Sequence, residues 1–245
     1  MVSQKSLIDQ GNWDILIILD ACRFDFFQEE YRQYLSGNLR KVESEGRDTL
    51  SWACYTFPDY YDITYVSGAV PINSVKTDLS YLPFKVHYLP VKHFREIVDV
   101  WKFGWNFNLG TVMPRSVTEA ALRRNGRRIV HYFQPHAPYI GKKMLLGKIG
   151  YHVGCGQGNP PDDVIWVAVK QGRISREQLR EFYRLNLQLV LGHATNLISR
   201  LNGKTGIIVT ADHGEALGED GVFMHGFDHP TVREVPWLEV EWKKL

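Results

Sequence analysis

Residues 15–19 form an unbroken apolar run, ILIIL, that stops on Asp20. A strand with one wet face alternates polar and apolar residues, whereas a strand that is apolar at every position has both faces covered. The run therefore calls for a sheet sandwiched between helices, with this strand in its interior. It also delivers a carboxylate to the end of a buried strand, with Cys22 and Arg23 just beyond it. A metal ligand, a nucleophile and a capping residue each account for polar groups at such a place.

The remaining pattern agrees with a covered sheet. ITYVSG (63–68), RRIVHYFQP (127–135) and TGIIVTADHG (205–214) read as strands, and VPWLEVEW (235–242) as a fifth. Helices are expected from about Arg23 to Tyr34, over 117–124 and over 174–203. Ser175 and Gln178 form a capping box for the last, Leu179, Phe182, Leu189, Leu197 and Leu201 its buried stripe, and Asn202-Gly203 its end. Strands alternating with helices predict an α/β fold, a mostly parallel central sheet with helices on both faces. Ligands gather at the carboxyl ends of such strands, which singles out Asp20, Ser67, His136, Asp212 and His213. The Gly- and Pro-rich segment 137–173 reads as a surface excursion at a lid or substrate rim. No internal repeat or low-complexity linker divides the chain, so residues 1–245 read as a single domain.

Composition narrows the class. The chain is 44% hydrophobic and 23% charged, with a net charge of +2. That balance gives no argument for nucleic acid, and the cluster Arg123, Arg124, Arg127 and Arg128 reads as a solvated helix end. Cys22, Cys54 and Cys155 are odd in number and include no CxxC pair, so no disulfide framework is expected. No window approaches the roughly 18 apolar residues of a transmembrane segment, and MVSQKSLIDQGNW lacks a signal-peptide core. A cytoplasmic location is the resulting expectation. Nothing in the sequence sets an oligomeric state.

The strongest chemical signal is IIVTADHGEALGE (207–219), where a buried strand delivers Asp212 and His213 together, followed by a glycine turn. Carboxylate plus imidazole suits Zn²⁺ or Mn²⁺, with ligands at roughly 2.0–2.2 Å; the plain alternative is an Asp cap with a packed His. His225, in FMHGFDHP (223–230), is placed to return to the same region. His136 sits between Pro135 and Pro138 on a rigid turn. His131 lies within a strand and reads as a core histidine.

The motifs ILIILDACRFD, HYFQPHAPY, VTADHGEALGE and MHG…VP, in that order, resemble the sulfatase-like branch of the alkaline phosphatase superfamily over about residues 13–240. The resemblance implies a three-layer alkaline-phosphatase-like sandwich and a metal-dependent hydrolase or transferase of phosphate esters or, less expected, sulfate esters. It also implies a nucleophile between the first Asp and the second strand. None of the cysteines has the C/S-x-P-x-R context of a formylglycine sulfatase, so an unmodified hydroxyl is expected. Thr49, 29 positions after Asp20 and ahead of a helix TLSWACYTF, is the leading candidate, with Ser51 and Ser44 behind it; Thr49 also reads as a plain N-cap.

On this reading one divalent ion, Zn or Mn first with Ca or Mg as the alternative, is held by Asp20, Thr49, Asp212 and His213. His136, His225, Arg23 and Arg47 bind the substrate, and His136 and His225 assist in catalysis. The substrate is a small-molecule, glycan or lipid-headgroup ester, and Trp101, Trp105, Tyr132 and Tyr139 are weighed as an aromatic platform for it. The sequence departs from the branch at Ala21 and Gln134, where carboxylates are familiar, and it is short. Those losses favour one metal over two, although His136, His225 and His229 offer a second set of ligands. They also motivate an alternative, a non-catalytic binding protein that keeps the fold.

Overall fold

The expected buried strand, Ile15–Asp20, lies inside an eight-stranded sheet and is buried at all six positions. The computed structural model describes residues 1–75, 86–141, 165–201 and 206–241. The first stretch carries Val2–Ser3 (β1), Gln4–Asp9 (α1), Ile15–Asp20 (β2), Phe24–Glu30 (α2), Gly37–Glu43 (β3), Thr49–Thr56 (α3) and Tyr61–Ser67 (β4). The second carries Phe94–Asp99 (β5), Val100–Gly104 (α4), Trp105–Asn106 (β6), Thr111–Val112 (β7), Pro114–Leu122 (α5) and Arg128–Pro135 (β8). Ile165–Lys170 (α6), Arg176–Ser199 (α7), Ile207–Thr210 (β9), Ala216–Leu217 (β10), Phe223–Met224 (β11), Pro230–Arg233 (α8) and Glu234–Val240 (β12) complete it.

The sheet order is β1-β3-β12-β9-β2-β8-β4-β5, and β12 alone runs antiparallel to its neighbours. Side chains alternate across a strand, so β8 shows which helices lie on which face. His131 meets the Trp52 ring of α3, with ring centroids 6.2 Å apart. The next residue, Tyr132, reaches Thr118 of α5 on the other face at 2.9 Å. The result is the expected α/β sandwich, a mostly parallel sheet between two helical layers.

Sequence reading located the core elements β2, α2, α3, β4, α5, β8, α7, β9 and β12, and none of the short ones at the edges. It missed β3 and β5, which are half-exposed strands with charged residues at several positions. Helix α7 opens on the expected Ser175–Gln178 capping box. Its buried face is rotated from the expected stripe: Tyr183, Leu187, Val190, Leu191, Ala194 and Ile198 join Leu179 and Leu197, while Phe182, Leu189 and Leu201 are half-buried. The proposed helix stop at Asn202-Gly203, Cys155 and most of the Gly- and Pro-rich excursion lie outside the described residues.

A buried amide ties α1, α3 and β9 together. Gln4 accepts from Trp52 Nε1 at 2.7 Å and donates to Thr210 Oγ1 and the Ala211 carbonyl, each at 2.7 Å. Gln4→Leu keeps the volume and orphans the indole N–H. We expect a loss of about 3 kcal/mol, read as a melting temperature lower by roughly 6–12 °C.

Candidate active site

Strand order places the two acids side by side. Ile18 of β2 is in register with Thr210 of β9 on one side and His131 of β8 on the other. Two residues further along, Asp20 and Asp212 come level at the carboxyl edge of the sheet. A register shift between Leu19 and Asp20 sets Asp20 opposite Pro135. Immediately after it, Ala21 adopts φ +60°, a left-handed conformation that costs a residue with a Cβ of order 1 kcal/mol or more. This turn points the Ala21 amide at Asp212 Oδ1 (3.1 Å), and the His213 amide donates to the same oxygen at 2.9 Å. Tyr183 of α7 holds the turn by donating to the Ala21 carbonyl at 2.7 Å.

Helix α3 brings Thr49 to these acids. Asp48, not Thr49, is the N-cap: it accepts from the Ser51 amide at 2.9 Å, and Ser51 donates back to it. Thr49 is the first residue of the helix, and its hydroxyl donates to Asp212 Oδ2 at 2.7 Å. The other two hydroxyls considered are engaged elsewhere, Ser51 in the capping box and Ser44 on the Asp212 carbonyl. Gly46 lets the loop reach this position, since a Cβ there would lie 2.2 Å from the Trp52 amide nitrogen.

Two histidines complete the first cluster. His213 Nδ1 lies 2.9 Å from the Gly214 carbonyl, which can only accept, so Nδ1 carries the proton. Nε2 of the neutral ring is then bare, and it lies 3.6 Å from Asp20 Oδ1 and 3.5 Å from Asp212 Oδ2. His131 Nε2 lies 3.8 Å from Asp20 Oδ2 and 3.6 Å from Asp212 Oδ2, and its Nδ1 is bonded to Tyr65 Oη at 2.7 Å. Burial pushes His131 down to about 4 and also lowers His213. Burial raises Asp20 well above the carboxylate range, helped by Asp212 and Glu215. Burial would raise Asp212 too, but His213, His131 and the Thr49 hydrogen bond bring it below its ordinary value.

A second cluster adjoins the first. Ala216 pairs with Met224 across the β10–β11 hairpin, so the flanking Glu215 and His225 face one another, Glu215 Oε2 lying 3.2 Å from His225 Nδ1. His136, Glu215 and His225 offer ligand atoms within 4.8 Å of one another. The His225 ring stands 4.3 Å from that of His213 and 5.3 Å from that of His136. Burial favours neutral His225, but Glu215 overrides it and raises the pKa. His136 moves the other way, pushed down to about 4 by burial and by His225. Buried Asn186 of α7 holds the turn of His136, donating to the carbonyls of Pro135 at 3.0 Å and His136 at 3.1 Å.

No protein-family model matches the chain, and no curated protein matches it in sequence. Solved structures do match it in fold. The soluble domain of lipooligosaccharide phosphoethanolamine transferase A from Neisseria meningitidis superimposes with TM-score 0.59 at 14% identity, over 92% of this chain and 75% of that one. The integral membrane form of that transferase gives 0.58 at 14% identity, and this chain spans 47% of its length. A Bacteroides thetaiotaomicron protein described as a candidate sulfatase gives 0.50 at 12% identity, over 93% of this chain and 64% of that one. The chain has the alkaline-phosphatase-like, sulfatase-type fold that these structures share. Among the described residues, no helix is long and apolar enough to cross a membrane.

The structure brings together Asp20, Thr49, Asp212 and His213, with His136 and His225 beside them. It leaves out Arg23, expected as a substrate contact. The Arg23 guanidinium is buried and bonded to Asp25 at 2.7 and 2.9 Å, to Glu219 at 2.8 Å and to the Glu215 carbonyl at 3.2 Å. Arg47 pairs with Asp228 at 3.2 Å on the loop that follows His225. His229 is not a partner of His136 and His225, since it caps α8 and faces Asp220. Of the aromatic residues weighed as a platform, Tyr132 is buried beneath α5 and Trp105 packs edge-on to Phe133, whereas Tyr139 lines a cavity beside His136. His131 and Glu215 were missed. Their one sequence signal is proximity to motif residues, His131 five positions before His136 and Glu215 two after His213. Gln134, in place of the familiar acid, braces β7 through Thr111 at 3.0 Å and Val112 at 3.1 Å.

The first cluster fits a divalent cation. Asp20 Oδ1, His131 Nε2 and His213 Nε2 are buried without a hydrogen-bond partner. A bare imidazole nitrogen facing two carboxylates needs positive charge between them. The raised pKa of Asp20 has a definite sign: its ionised form costs stability at neutral pH until a cation offsets it. Asp20→Asn should therefore raise the melting temperature of the metal-free protein. It should also remove the gain that Zn²⁺ or Mn²⁺ gives the wild type, about 3 kcal/mol at a hundredfold excess over Kd. Thermal denaturation with and without chelator checks both signs.

Proposed function

We propose that this chain is a metal-dependent phosphoester hydrolase or transferase in which Thr49 is the nucleophile. The observation that carries the reading is the Thr49 hydroxyl, 2.7 Å from Asp212, at the one place where unpartnered buried ligand atoms converge among the described residues. Asp20, Asp212, His213, Thr49 and the unexpected His131 would hold one divalent ion. Mixed carboxylate and imidazole donors favour Zn or Mn. Such an ion, when bound, offsets the two carboxylate charges and lowers the pKa of a hydroxyl.

The chain's own groups supply the rest. Asp212 orients the Thr49 hydroxyl and is placed to take its proton. The Thr49 Oγ–P bond forms as the bond from phosphorus to the ester oxygen breaks. His225, kept protonated by Glu215, gives its proton to the departing oxygen, and neutral His136 accepts one from the water or alcohol that later cleaves the threonyl phosphate. Two titratable groups with pKa values driven apart are the pattern of an acid and a base. Because Glu215 and His225 already neutralise each other, the second cluster is read as a proton-transfer and oxygen-binding site rather than a second metal site. Tyr65 positions His131 through Nδ1.

Phosphate is favoured over sulfate by the lack of a formylglycine context, and supported by the phosphoethanolamine transferase among the similar folds. Transfer to an acceptor alcohol and hydrolysis share every step up to the threonyl phosphate. Cytoplasmic location belongs to the proposal too, and is tested by cell fractionation.

Thr49→Ala should lower turnover of an aryl phosphate by roughly a thousandfold or more in protein reconstituted with Zn²⁺ or Mn²⁺. Undiminished turnover would remove Thr49 from the mechanism. A protein that binds no metal and cleaves no ester across a substrate panel would instead be a binding protein on this fold. The rate should fall at alkaline pH as His225 loses its proton. Glu215→Gln removes the charge that raises the His225 pKa, so the alkaline limb of the pH–rate profile should move to lower pH.

A further inference from the structure

Beside the second cluster lies a cavity of about 220 Å³ that the proposed reaction does not use. His136, Glu215 and His225 form one side of it, while Phe133, Leu179, Leu217 and Phe223 are among its apolar walls. Met224 stands at its rim, 38% exposed and with a backbone φ of +76°. Asparagine or glycine takes that conformation at lower cost. The hairpin instead keeps a long apolar side chain there.

We propose that this cavity receives an apolar organic group, about one aromatic ring with a short linker, carried by the alcohol half of the ester. The proposal rests on the phosphoester reading above. In phosphoryl transfer the attacking and departing oxygens lie roughly in line. His225, which gives its proton to the departing oxygen in the reading above, lines the cavity, so the departing group is the one that meets it. Its size is sufficient, since an apolar cavity of about 150 Å³ holds benzene. Its described lining does not favour a cationic headgroup: among the described residues Glu215 is the one acid there, and His225 pairs with it at 3.2 Å.

The test is calorimetric titration of the full chain with Zn²⁺ or Mn²⁺, using methyl-, butyl- and benzylphosphonate, which are not cleaved. Benzylphosphonate should bind about tenfold or more tightly than methylphosphonate, with about fourfold gained per buried methylene. Met224→Asn, which suits the left-handed backbone, should narrow that ratio severalfold. Equal affinities across the series overturn the proposal. Turnover of benzyl and methyl phosphates separates the two claims. A benzylphosphonate preference without cleavage of any ester keeps the cavity and removes the reaction. Cleavage with no preference for the apolar alcohol keeps the reaction and removes the cavity. Failure to bind any phosphonate removes both.

Discussion

Two carboxylates, Asp20 and Asp212, stand level on adjacent buried strands, with 3% and 0% of their surface exposed. Like charges so close in a medium of low dielectric repel strongly. Most other features around them answer that repulsion. The amides of Ala21 and His213 converge on one oxygen of Asp212, and Thr49 donates to the other. Burial and the neighbouring acids raise the pKa of Asp20, while His213 and His131, with the Thr49 and Ala21 hydrogen bonds, bring that of Asp212 down against burial. The imbalance marks where a cation belongs.

The same constraint explains the strained turn after β2. Ala21 takes a left-handed conformation because only then does its amide meet Asp212. The surrounding structure over-determines the turn: Tyr183 donates to the Ala21 carbonyl and accepts from the Arg23 amide at 2.8 Å. Arg23 in turn joins α2 to the hairpin that carries Glu215. A residue expected to bind substrate therefore holds the scaffold on which the second cluster stands. Asn186 plays the matching part from α7, gathering the carbonyls around His136. Local strain persists where packed helices leave the chain no cheaper route.

The two clusters differ in how their charge is balanced. Glu215 and His225 form an internal ion pair that leaves His136 neutral, which suits proton transfer. The first cluster has excess negative charge and bare nitrogens, which suits a metal. One ring contact, His213 to His225, links the two clusters.

The sequence by itself determined the covered parallel sheet, because an apolar run such as ILIIL has no stable place on a wet face. It also determined that Asp20, Asp212, His213 and His136 lie at strand ends, since each follows a buried run directly. Resemblance to known motifs then tied those ends to one site and brought in Thr49. Only the tertiary structure decided the neighbours of each group. Strand order set β9 and β8 on either side of β2, which turned His131 from a core residue into part of the cluster. Hairpin register set Glu215 against His225, and ion pairs with Asp25 and Glu219 engaged the Arg23 guanidinium. These outcomes depend on contacts between residues distant in the chain, and hydrophobic periodicity reports only which face of an element is buried, not what it is buried against.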